Sequence, residues 1–164
     1  MKISNIVVVL CSAALVAACA TSYQTASFTG GFKDTRLAPD VFRVSFSGNA
    51  FTSSDKVQDF ALLRAAELTL ANDFKYFAVM DSSDQSRTGT IVTPGSAQTS
   101  GTVSAYGNTA NYSGTTTYMP PQVTTYYRPG VGLMVRAFPT KPEGIFAFDA
   151  VFIAQSIRSK YGIK

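Results

Sequence analysis

Residues able to do acid–base or covalent chemistry are few in this chain, and their types narrow its possible activities. There is no histidine in 164 residues, which removes the commonest general base, proton shuttle and zinc ligand together. Two carboxylate pairs remain, Asp55 with Asp59 and Asp81 with Asp84. Two such groups flanking one bond can serve as acid and base in cleaving a sugar polymer. Asp55 and Asp59 fall in the first turns of an expected helix, where the positive end of the helix dipole accounts for both. Asp81 and Asp84 follow an expected strand and read as turn residues. Neither pair comes with a recognisable partner set. Arg64 and Glu67, three apart on the same helix, read as an ion pair and, if half-buried under a sheet, as a device for packing specificity. Gly130-Val131-Gly132 is too incomplete to cradle a phosphate. No catalytic residue, metal ligand or cofactor is therefore assigned. The chain is expected to be non-enzymatic, with a small hydrolase of cell-wall or sugar polymers using Asp residues as the alternative.

The two thiols, Cys11 and Cys19, sit at the chain start. Lys2 supplies a positive charge, Ile6 to Val16 an apolar stretch, and small residues follow, which is the layout of a secretory signal over residues 1–18. The stretch is shorter than the about 20 apolar residues a spanning helix needs. Val16-Ala17-Ala18-Cys19 resembles the bacterial lipobox. The resemblance implies that Cys19 becomes the first mature residue, with a thioether-linked diacylglycerol and an amide-linked acyl chain such as palmitate. Two or more chains, at about 0.8 kcal/mol per buried methylene, hold a protein stably on a membrane. Ala20 in place of Asp after the cysteine implies sorting to the outer membrane, inner leaflet, facing the periplasm. Ordinary cleavage around Ala18-Cys19-Ala20 is the other reading of the same residues. With Cys11 removed and Cys19 blocked, no disulfide can form within one mature chain. Ser53-Ser54-Asp55-Lys56 matches the S-x-x-K of penicillin-recognising serine enzymes, but the K-T-G element is missing and a capped helix start explains it better. Formal net charge is +4 without a Lys/Arg block, so no nucleic-acid partner is expected.

Residues 19–38 are polar, contain Gly30-Gly31 and lack a period, which reads as a lipid-attached tether. One α+β domain is expected over 39–164. Val41 to Ser47 alternates as a half-buried strand. A helix follows from about Ser53 to Ala71, with Thr52 and Asp55 as a capping box and Asn72 ending it in a left-handed conformation. Its stripe is Val57, Phe60, Ala61, Arg64, Ala65 and Leu68. Tyr76 to Met80 is a second strand, and the strand–helix–strand order favours a parallel crossover. Val131 to Phe138 is a third. Phe146 to Tyr161 is aromatic enough for a strand, but Asp149 as N-cap and the stripe Ala150, Ile153, Ala154, Ile157, Tyr161 favour a helix. The expected fold is thus a small sheet of about three core strands packed by two helices.

Composition changes over residues 86–127, where Arg87 is the single charge on a Ser, Thr, Gly, Ala and Tyr background. Low-complexity tracts of this kind can be disordered linkers. Thr and Tyr favour strands, however, and Tyr106 and Tyr112 flank Gly107-Asn108 as partners across a hairpin turn would. A long, thin β-hairpin arm is therefore expected, broken by Met119-Pro120-Pro121. Tyr106, Tyr112, Tyr118, Tyr126 and Tyr127 give it the composition of a recognition surface for an envelope protein or glycan, since Tyr offers large contact area at low entropy cost. Packing of the arm on its own sheet is the plainer reading of the same tyrosines.

The block from Gly30 to Val79, with "VSFSGN" and "LLRAAELT" as its most specific words, resembles a family of small proteobacterial envelope lipoproteins of unknown function. Such proteins continue with a Thr/Gly/Tyr-rich insertion, a strand like "GLMVRAF" and a terminal helix near Phe148-Asp149-Ala150. Asp73 stands where members often carry glycine. The resemblance implies location and fold and brings no mechanism.

Overall fold

The computed structural model describes residues 20–164. The expected signal segment and Cys19 lie outside the described residues. The chain divides into two compact units, one of residues up to Arg87 together with Tyr127–Lys164, the other Thr88–Tyr126. The first is called the body and the second the arm.

The body is built on a five-stranded antiparallel sheet. Its strands are β1 (Gly31–Ala38), β2 (Val41–Ser47), β3 (Tyr76–Asp84), β8 (Gly130–Phe138) and β9 (Phe148–Asp149), in the order β1-β2-β8-β3-β9. Helices α1 (Ser54–Ala71) and α2 (Ala150–Tyr161) complete it. The sheet exceeds the about three core strands expected, and the expected α+β class is corrected to a mostly β one. Strands hold 51% of the described residues and helices 21%. The sheet gains two strands over those expected, β1 inside the segment read as a tether and the two-residue β9, and the Ser/Thr-rich region adds a second two-stranded ladder to the expected hairpin.

Apolar alternation decides which face carries the helices. Phe42, Val44 and Phe46 of β2 lie opposite Val135, Leu133 and Val131 of β8, and all six are buried. Phe77 adds a third strand beside Ala137. β8, the most continuously buried strand, takes the centre. It pairs antiparallel with both β2 and β3, so those two run parallel to each other with β8 inserted between them. The expected crossover thus spans an intervening strand. α1 lays Val57, Phe60, Ala61, Leu63, Ala65 and Ala66 against this surface. Phe60 makes edge-to-face contacts with Phe46 at 5.2 Å and with Tyr161 of α2 at 5.0 Å. Each large side chain so covered contributes about 1.5–3 kcal/mol. Because α2 flanks α1 as well, Leu63 and Ala66 are buried beyond the predicted stripe, while Arg64 and Leu68 are only half-covered.

The helix ends differ from expectation by one residue each. Ser53, not Thr52, caps α1, its hydroxyl accepting from the Lys56 amide at 3.3 Å. At the other end Asn72 has φ −111° and Asp73 is the left-handed residue, with φ +64°. The Phe74 amide donates to the Thr69 carbonyl at 3.0 Å and the Asp73 amide to that of Leu70 at 3.1 Å, the paired bonds of a Schellman ending. Asp149 caps α2 through the Phe152 amide at 3.0 Å, and Gly162 ends it with φ +64°.

The tether reading is corrected as well. β1 joins β2 in a hairpin through Pro39-Asp40. Five of its eight residues are exposed, as on an edge strand, so it carries no apolar alternation for a sequence reading to catch. Before it, Thr21 is buried and fastened three ways. Its amide donates to Thr52 Oγ1 at 2.9 Å, its hydroxyl donates to the Thr29 carbonyl at 2.8 Å, and that hydroxyl accepts from the Asn49 amide at 2.9 Å. Gly30, with φ +109°, lets this turn press on β2: a Cβ there would sit 2.3 Å from the Ser47 carbonyl oxygen.

Candidate functional site

The arm region contains β4 (Arg87–Thr93), β5 (Ser96–Tyr106), β6 (Thr109–Met119) and β7 (Gln122–Arg128). β5 and β6 pair antiparallel from Ser96↔Met119 to Tyr106↔Thr109 without a bulge. β4 pairs with β7 in a second two-stranded sheet. Gly107 opens the two-residue turn with φ +60°, the first central position that a II′ turn gives to glycine. Tyr106 therefore faces Thr109, and Tyr112 faces Val103. The expected Tyr106–Tyr112 pairing is displaced because the turn is tighter than the tyrosine spacing assumes.

Strand alternation sorts the hairpin into two unlike faces. Ala97, Thr99, Gly101, Val103 and Ala105 line up opposite Tyr118, Thr116, Gly114, Tyr112 and Ala110. The other face is almost wholly hydroxyl and amide, with Met119 at one end and Tyr106 at the turn. On the first face the Tyr112 ring covers two glycines. A Cβ on Gly101 would come within 2.7 Å of that ring, and one on Gly114 within 2.3 Å of its hydroxyl. Tyr126 covers Gly89 in the same manner: a Cβ there would come within 2.5 Å of its ring. Aromatic rings laid over strand glycines restore contact that the missing side chains forfeit. Thr99 and Thr116 bridge hydroxyls at 2.9 Å.

The five predicted binding tyrosines thus fall into separate places. Tyr112 and Tyr118 share the apolar face, about two-thirds exposed at 64% and 67%. Tyr106 belongs to the opposite face and Tyr126 to the β4–β7 ladder. Tyr127 belongs to the body, where it lines a shallow cleft with Ser82, Asp84 and Ser86. The phrase "YSG" at residues 112–114 was the readable signal for the ring-on-glycine packing, since residues two apart share a strand face.

The carboxylates occupy structural positions. Asp81 and Asp84 lie three apart on β3, on opposite faces, so they cannot flank one substrate bond. Asp84 accepts from the Ser86 amide at 2.8 Å, and the Ser86 hydroxyl and amide hold its carboxyl below the ordinary range. Asp59 accepts from Lys160 Nζ and from the Tyr161 hydroxyl, each at 2.7 Å, joining α1 to α2. Asp55 stays in the first turn of α1.

Arg64 and Glu67 do pair, at 3.4 Å, within a larger network. Arg64 also meets Asp34 of β1 at 2.9 Å and lies over the Phe32 ring at 4.4 Å. Glu67 takes Arg158 of α2 at 2.8 Å and a short hydrogen bond from the Tyr23 hydroxyl. Burial, then the bond to Glu67, drives the Tyr23 phenol far above its ordinary value. Burial works against the Arg64 charge, but the contacts with Asp34 outweigh it and the guanidinium is held more firmly protonated. Tyr23, Asp34 and Arg158 escaped sequence reading because each comes from a different element. With its charges matched, the network joins the N-terminal segment, α1 and α2. Among the described residues no group of three His, Cys, Asp or Glu gathers as a metal site, and no helix is long and apolar enough to cross a membrane.

Compared with family models, with curated proteins and with solved structures, the chain finds no match.

Proposed function

We propose that this chain is a lipid-anchored lipoprotein of the bacterial envelope that works by binding, with the arm as its recognition element. Cys19 carries the anchor, and the protein belongs to the envelope lipoprotein family that its "VSFSGN" and "LLRAAELT" block resembles. It stands on the periplasmic side of the outer membrane. The observation that carries the binding role is the β5–β6 ladder. It keeps eleven residue pairs in register while Val103, Tyr112 and Tyr118 remain mostly exposed. A two-stranded ribbon is marginal in water by itself, and the Tyr112 ring seated on Gly101 and Gly114 adds contact on the tyrosine face. Such a face suits the apolar side of a glycan or an uncharged protein surface, because rigid aromatic area binds at low entropy cost.

Deleting residues 88–126 tests this directly. The body should fold as before by circular dichroism, while crosslinking to envelope partners in cells is lost. Retention of every crosslinked partner by the deleted protein would refute the recognition role. Intact mass of the mature protein from membranes, beside Cys19→Ala, tests the anchor independently: a triacylated chain starting at Cys19 is expected, and an unmodified one would refute it.

A further inference from the structure

We infer that the end of the body beside Thr21 is a membrane-docking face that binds the phosphates of anionic glycerophospholipids. This rests on the lipid anchor at Cys19 proposed above. Thr21 is buried and hydrogen-bonded to Thr29, Asn49 and Thr52, so the body begins two residues after Cys19. Two extended residues span only about 7 Å. An acyl anchor at Cys19 would therefore hold this end of the body against the headgroups, with no tether to lift it away.

The surface around that point has the chemistry of an interface. Phe28, next to Thr29, is 98% exposed, and Phe51, next to Thr52, is 71% exposed. Two bare phenyl rings thus adjoin residues that grip Thr21. Between the turn at residues 26–31, the end of β2 and the backbone around Gln85 and Pro129 opens a cleft of about 370 Å³, to which Lys33, Arg87 and Arg128 contribute cations; none of its lining side chains is acidic. Neither Lys33 nor Arg87 forms an ion pair among the described residues. Phosphate oxygens are the complementary ligand for clustered ammonium and guanidinium groups. Aromatic rings settle at the headgroup level, and each basic residue near an anionic surface strengthens attachment about fivefold. Rings and cations beside one anchoring point favour a bilayer over a free phosphate, which would need no phenyl groups.

The test uses the mature chain with Cys19→Ala, which has no lipid of its own. The sequence contains no tryptophan, so Phe28→Trp installs a single reporter. Its emission should shift to the blue with phosphatidylglycerol vesicles and stay put with phosphatidylcholine vesicles or inorganic phosphate. Lys33→Ala with Arg87→Ala should weaken sedimentation with phosphatidylglycerol vesicles by roughly 25-fold, without change in circular dichroism. Equal binding by the double variant, or no binding to phosphatidylglycerol, would overturn the docking face. So would phosphate that saturates the cleft while vesicles fail to bind. Loss of vesicle binding beside a triacylated Cys19 in the native protein would remove this inference alone. Vesicle binding beside an unmodified Cys19 would remove the anchor and leave the face.

Discussion

Body and arm reach ordered β structure by opposite routes. In the body, Phe42, Phe46, Phe60, Leu63 and Phe77 are almost wholly removed from water, and burial supplies the stability. In the arm no large side chain is buried; Ile91, Val92, Val103, Tyr112, Tyr118 and Val123 are all more than half exposed. Its ladder relies on backbone bonds, a glycine-led turn, hydroxyl pairs and rings on glycines. Long strands can therefore form without a core, provided that register is set by local devices, and such strands leave their faces available to something else.

The sharpest way to break this comparison is to truncate one apolar side chain to alanine in each unit. Phe60→Ala should cost about 3–5 kcal/mol in urea unfolding of the body. Val103→Ala on the exposed arm face should change it by less than about 0.5 kcal/mol. A comparable loss from both would mean that the arm is buried in the folded chain.

Alkaline pH sharpens the account of the body. The Tyr23 phenol is held protonated in the fold by burial and Glu67, whereas in the unfolded chain it ionises near its ordinary value of about 10. Below that pH both states keep the proton and its stabilising contribution is fully present. As pH rises further only the unfolded chain releases it, so stability should fall by about 1.4 kcal/mol per pH unit. Comparing unfolding of wild type and Tyr23→Phe above pH 10 checks this; the variant should lose that share of the slope.

Glycine seating separates the units again. Gly114→Val would drive a Cβ into the Tyr112 hydroxyl and should destabilise the β5–β6 ladder by about 1 kcal/mol. Amide exchange should quicken in 96–119 and remain unchanged in β2 and β8. The smallest effect is a gain: Asp73→Gly relieves a left-handed aspartate and should stabilise the body by about 0.5–1 kcal/mol in the same urea assay.

Legibility followed burial and locality. β2, α1, β8 and α2 were readable because their apolar residues repeat at strand or helix period. β1 was invisible because an exposed edge strand has no such repeat, and Lys33, Asp34, Thr35 and Arg36 read as polar chain. Thr52 looked like a cap because hydroxyls before a helix usually are, yet Thr21 and Asn49 engage it instead. Arg64 and Glu67 were legible as neighbours on one helix turn, whereas Tyr23, Asp34 and Arg158 join them from distant positions. The tyrosines were recognisable as a group by composition, but their division between faces and units follows from register, which the turn at Gly107-Asn108 sets one residue at a time.

What the sequence determined alone is therefore local: the absence of imidazole, the helix stripes, the alternating strands and the glycine turn. Each depends on residues a few positions apart, whose energetics need no partner from elsewhere. What only the tertiary structure decided is which remote segments share a surface. It put β8 between β2 and β3, gathered Lys33, Arg87 and Arg128 at one cleft, and fastened Thr21 to the body. These pairings join positions dozens of residues apart, and they form only when burial of the common core brings the segments together.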